Sequence, residues 1–146
     1  METSPAQGLP TPRTPRPLPR NLTVDQTFNL LDHIQGDDLA AVRDRAMFEL
    51  MYATGLRVSE LVSIDLGDLD LSGRMVRVVG KGGKERLVPF VPAAGTAVQH
   101  WLERSRSLRV KARPTQAVFL NLRGGRLTSR SVHRVLDRRL REAAIA

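Results

Sequence analysis

The feature that most restricts the fold is a change of period in the middle of the chain. From Asp68 to Phe90, "DLDLSGRMVRVVGKGGKERLVPF", polar and apolar residues alternate. Alternation of this kind marks strands with one face buried. It is interrupted twice, at Ser72-Gly73 and at "GKGGK", residues 80–84. Both interruptions carry the glycines that hairpin turns favour. The segment therefore predicts a three-stranded antiparallel sheet, ended by Pro89 and Pro92.

On both sides the period is that of helices. Thr23 and Gln26 have the spacing of a capping box, and Val24, Phe28, Leu31 and Ile34 then mark one apolar face. A second helix is predicted over Asp38–Thr54, burying Leu39, Val42, Ala46, Leu50 and Met51, with Gly55 as the glycine that ends it. A short third helix covers about Ser59 to Ile64, with Leu61 and Val62 inward. Beyond the sheet, one helix is predicted from about Ala93 to Val110, burying Val98, Trp101, Leu102 and Leu108. "AVFLN" is a short extended piece and Gly124-Gly125 a turn. A last helix runs from about Ser129 to the end, with Val132, Leu136 and Leu140 on one face.

Helices, a small sheet, then helices define an α+β chain, mostly helical with a small three-stranded antiparallel sheet. The last helix reaches Ala146 without a cap or a polar tail. Its apolar stripe is therefore expected to lie exposed, in an incomplete domain that aggregates or requires a partner. Residues 22–146 form that partial domain. Residues 1–21 form a Pro/Arg-rich, disordered arm; six of the nine prolines and three arginines fall within the first twenty positions. The arm is either a plain tail or a basic linker lying along a nucleic-acid backbone.

The charge is strongly positive, 23 Lys+Arg against 15 Asp+Glu, a net +8. That balance calls for a polyanion, nucleic acid first and an anionic membrane surface second. Arginine far outnumbers lysine, and its fork pairs with phosphate oxygens two at a time. The chain has no cysteine, so disulfides and thiolate metal sites are excluded. His33, His100 and His133 are too far apart in sequence to show a ligand spacing. No apolar run approaches the roughly 20 residues that span a bilayer, and no apolar signal core opens the chain. A soluble protein of a reducing, cytoplasmic compartment is expected.

Arg57 stands in the joint between the second and third helices. It is either a cation stabilised by the end of the second helix or a phosphate ligand. Its neighbours Leu56 and Val58 are apolar, which predicts a partly buried guanidinium, and Glu60 is placed to orient it. "GKGGKER" falls short of a phosphate-binding P-loop, because Gly83-Lys84 leads into Glu85 and a strand rather than Ser/Thr and a helix. It is either a solvated hairpin tip or a mobile finger that brings Lys81 or Lys84 to a phosphate. Asp65, Asp68 and Asp70 fit a half-exposed strand better than a metal site, Asp68 and Asp70 sharing one face. Neither a Gly-x-Ser-x-Gly elbow nor a His-Glu-x-x-His helix occurs. Tyr52, the single tyrosine, is expected in the core.

"LMYATGLRVSELVSI", "VVGKGGKERLVPF" and "FLNLRGGRLTSRSVHRVL" together closely resemble the tyrosine recombinases, above all Xer-type and phage-integrase enzymes that break and rejoin DNA. The resemblance covers Leu22 to Ala146, and the arm resembles the linker that enters their catalytic domain. It implies that Arg57 grips the scissile phosphate and that Lys81 protonates the leaving 5′-oxygen. Glu60 would support the arginine, and Lys84 would be an auxiliary contact at most; Arg86 and, in the arm, Arg20 are further expected DNA contacts. The reaction so implied uses a phosphotyrosine and no metal, nucleotide or other cofactor. The partner is double-stranded DNA, with oligomerisation on it when full length, and neither a membrane nor a nucleotide.

The chain departs from the family after its last helix. It holds no His-x-x-Arg motif, since Arg134 directly follows His133, and no tyrosine late in the sequence. The expectation is the first part of a catalytic domain, unable to cleave DNA alone. The alternative is a non-catalytic DNA-binding module with the same charge.

Overall fold

The computed structural model describes residues 24–111 and 115–145. The arm of residues 1–21 with Arg20, and the capping expected of Thr23, lie outside these residues.

The first helix, α1, covers Val24–His33, and α2 covers Leu39–Thr54. The Asp38 side chain caps α2 by accepting the Ala41 N–H. The turn of α2 to left-handed backbone at Gly55 (φ 72°) ends it. α3 covers Val58–Ser63, one residue earlier than expected. The sheet has the order β1-β2-β3, all antiparallel, from Leu69–Asp70, Met75–Val79 and Glu85–Pro89. Val76 and Val78 point into the core while Arg77 and Val79 face solvent, as the alternation requires. Pro92 then opens α4, Pro92–Arg104, at a position where the missing N–H costs nothing.

The core is held between α2 and α4, the most extensive helix contact. Trp101 is fully buried there and donates its indole N–H to the Val118 carbonyl at 2.8 Å. The "AVFLN" piece is wholly buried from Ala117 to Leu120 and bridges to Asp65 at one end and Arg126 at the other. The Asn121 side chain closes the following turn, accepting the N–H groups of Arg123 and Gly125.

Four expectations are corrected. The helix over 93–110 is two, α4 and α5 (Arg106–Lys111), parted at buried Ser105. The Ser105 hydroxyl bonds back to the Leu102 carbonyl, and Arg109 turns to the Ala117 and Val118 carbonyls. The stripe of the last helix, α6 (Ser129–Ile145), is not exposed: Val132 and Leu136 are buried and Leu140 is partly buried, packed against α1 and α3. Tyr52 is not in the core but 45% exposed, because it follows the solvent face of α2 marked by Arg45 and Glu49. Asp68 is not on a strand; it closes a 3₁₀ turn, Leu66–Asp68, ahead of β1. Its carboxylate accepts the Asp65 N–H and pairs with Arg77, while Asp70 holds the Ser72-Gly73 turn.

Among the described residues, no helix is long and apolar enough to cross a membrane.

Candidate functional site

The joint between α2 and α3 is built by two buried neighbours. Leu56 is 3% and Val58 2% exposed. Arg57 between them has extended backbone (φ −75°, ψ 156°). Consecutive side chains on extended backbone point to opposite sides. Anchoring both neighbours in the core therefore turns Arg57 out to solvent. The expected partial burial is thus reversed, by the same apolar neighbours that suggested it. Arg57 is also the N-cap of α3 rather than a cation at the end of α2. A helix N-terminus carries partial positive charge, so the dipole gives this guanidinium no stabilisation. No carboxylate among the described residues lies within ion-pair distance of its guanidinium, although the Glu60 carboxylate feels its charge.

Glu60 supports Arg57 through its backbone and its charge, and grips a different guanidinium. Its Oε1 accepts the Arg57 backbone N–H at 3.0 Å, which folds the first turn of α3 back on its cap. The guanidinium it holds is that of Arg86: Nη1 donates to Oε2 at 3.1 Å and Nη2 to Oε1 at 3.2 Å. These bonds hold the Glu60 carboxyl below the usual glutamate range; partial burial opposes them, and the Arg57 N–H and the Arg57 charge assist. Arg86 sits opposite buried Val78 in the β2–β3 register, so its side chain leaves the sheet on the inner face.

The glycine loop meets the same carboxylate. It closes with Gly80 N–H to the Lys84 carbonyl at 2.7 Å and Gly83 N–H to the Gly80 carbonyl at 3.1 Å. A Cβ on Gly80 would lie 3.3 Å from Arg86 Nη1 and 3.7 Å from Glu60 Oε2. Gly80 has φ −95°, which any residue adopts, so a side chain there would meet the Arg86 guanidinium rather than backbone strain. Lys81 and Lys84 flank the turn and are exposed. One carboxylate thus bonds the Arg57 backbone and the Arg86 guanidinium, beside the Gly80 position that leads into Lys81.

Much of the remaining positive charge is already committed. Arg43 and Arg139 bind Asp44, Arg77 binds Asp68 and Glu85, Arg126 binds Asp65, and Arg104 binds Asp37. Arg45 and Arg109 bond to backbone carbonyls. Arg57, Lys81 and Lys84 form no ion pair or side-chain hydrogen bond of this kind among the described residues, and their two segments flank Glu60. Nothing in the sequence pairs Glu60 with Arg86, 26 positions apart; only the strand register discloses it.

The profile of the phage integrase family matches residues 20–146. The tyrosine recombinase XerC of Myxococcus xanthus is 46% identical over 140 residues, which are 94% of this chain and 47% of that protein. The chain thus spans about half the length of the curated relatives it matches. The crystal structure of XerA recombinase superposes with a TM-score of 0.74 at 24% identity, over 87% of this chain and 44% of that one. XerH site-specific recombinase, solved bound to its difH substrate, gives 0.70 at 21% identity, over 88% of this chain and 38% of that one. These structural likenesses establish the fold, and the sequence matches establish descent: the chain belongs to the phage integrase family, with Xer-type tyrosine recombinases among its relatives.

Proposed function

We propose that this chain carries the phosphate-gripping part of a site-specific DNA recombinase, which breaks and rejoins duplex DNA through a phosphotyrosine. The observation that carries the reading is a pair of exposed cations, Arg57 and Lys81, with no ion pair among the described residues and with backbone segments on either side of one carboxylate. A phosphodiester gains negative charge as a nucleophile adds to phosphorus. Preorganised donors act most strongly on that state, and the loss of one typically costs about 10²–10³ in rate. Arg57, turned outward between two buried anchors, offers such a donor from a fixed point of the backbone. The departing 5′-oxygen leaves as an alkoxide and needs a proton, which the Lys81 ammonium supplies from its turn. Lys84, and Arg20 in the arm, add contacts along the backbone, and oligomerisation on the duplex and a cytoplasmic location belong to the same reading.

A double-mutant cycle in duplex binding tests it. If Arg57 and Lys81 share one phosphate, the losses from Arg57→Ala and Lys81→Ala are not independent, and the cycle shows a coupling of about threefold or more. Arg57→Ala combined with Arg130→Ala, on the exposed first turn of α6, is additive. Additivity in both cycles would mean scattered phosphate contacts, as in a plain DNA-binding module, and would overturn the reading.

A further inference from the structure

We infer that Arg86 is a positioning residue for the recombinase site, not a DNA contact, and that Gly80 leaves room beside its guanidinium. The inference rests on the function proposed above. Arg86 spends both terminal nitrogens on Glu60, in the two-pronged geometry that fixes orientation as well as distance. Glu60 in turn fixes the Arg57 backbone through its N–H. Gly80, packed against the same guanidinium, is the residue from which the Lys81 turn is hung, through its own N–H and carbonyl. The pair is therefore a strut. One end sets the cap that aims Arg57, the other sets the base of the loop that carries Lys81. Sequence separation makes the strut necessary: β3 returns Arg86 to α3 from 26 positions away, and no other ion pair among the described residues ties the glycine loop to α3.

Two kinds of variant separate a strut from a phosphate contact. Arg86→Lys keeps the charge but replaces the fork by a single point donor. Arg86→Ala removes both and clears the space beside Gly80. The first readout needs no DNA: amide exchange at Gly80 and Gly83, whose N–H groups close the loop. The strut predicts that Arg86→Ala, Arg86→Lys and Glu60→Gln each speed this exchange by about threefold or more, the scale of a partly exposed ion pair. The double variant Glu60→Gln/Arg86→Ala should go no further than either single one. Gly80→Ala should have the same effect in the natural chain and none on top of Arg86→Ala. Thermal unfolding, little changed in these variants, separates a local effect from loss of the fold.

The second readout is duplex binding against salt. A phosphate contact lowers the slope of log affinity on log salt by about 1 in Arg86→Ala and is restored by Arg86→Lys. The strut predicts an unchanged slope in both. Unchanged exchange in all the variants, or a slope change that lysine restores, overturns the inference. If the duplex binds without any coupling of Arg57 to Lys81, the proposed function fails while the exchange arm still decides the strut.

Discussion

At the scale of single residues, the site is governed by which groups are already satisfied. Glu60 is 11% exposed in its side chain and has filled both oxygens. Its carboxyl, held low chiefly by Arg86, carries a definite pH signature. A carboxyl whose value is lowered on folding contributes stability that is complete above the unfolded value, about 4.3 for glutamate, and lost as pH falls through the lowered one. The Gly80 and Gly83 amide signals should therefore shift on acidification with a midpoint below about 4.3, moving up toward it in Arg86→Ala. A midpoint that Arg86→Ala leaves in place would contradict the pairing. The residue types of this site were legible in the sequence, but their partners were not. "LRV" shows two anchors and a charge, and the extended backbone at Arg57, which decides that the charge points out, depends on where α3 begins. Glu60 was correctly placed beside the arginine, yet its guanidinium partner comes from another element.

At the scale of elements, α6 is held by charge as well as by its apolar stripe. Asp44 of α2 is fully buried and accepts from Arg43 on one oxygen and from Arg139 of α6 on the other, at 2.8–3.1 Å. Arg43 also donates to the Leu120 carbonyl, tying in the extended piece. Removing the single anion leaves the buried Arg43 and the nearly buried Arg139 facing each other. Asp44→Asn should cost about 3–5 kcal/mol in urea unfolding. A loss below about 1 kcal/mol would show that the stripe alone seats α6. The strand segment, both turns and the span of α2 follow from period and glycine placement, which are local. The seating of α6 and the break at Ser105 do not, because both rest on contacts supplied by distant segments: α1, α3 and Asp44 in one case, the carbonyls of Ala117 and Val118 in the other.

At the scale of the molecule, the chain has a net +8, yet much of its arginine is spent on holding the fold together. What remains near the α2–α3 joint is a small set of cations, two of which, Arg57 and Lys81, serve one phosphate in the function proposed above. The chain has three lysines, Lys81 and Lys84 beside the glycine loop and Lys111 at the end of α5, so lysine chemistry resolves the claim residue by residue. The measurement is competitive acetylation of all three in the free chain and in the chain saturated with duplex DNA at low salt, in the natural sequence and in Arg57→Ala. If the two cations share a phosphate, DNA shields Lys81 more than Lys111, and Arg57→Ala removes most of that shielding even when enough duplex is added to saturate the chain. A Lys81 that reacts as fast with DNA bound as without it, or whose shielding is the same with and without Arg57, would contradict that sharing.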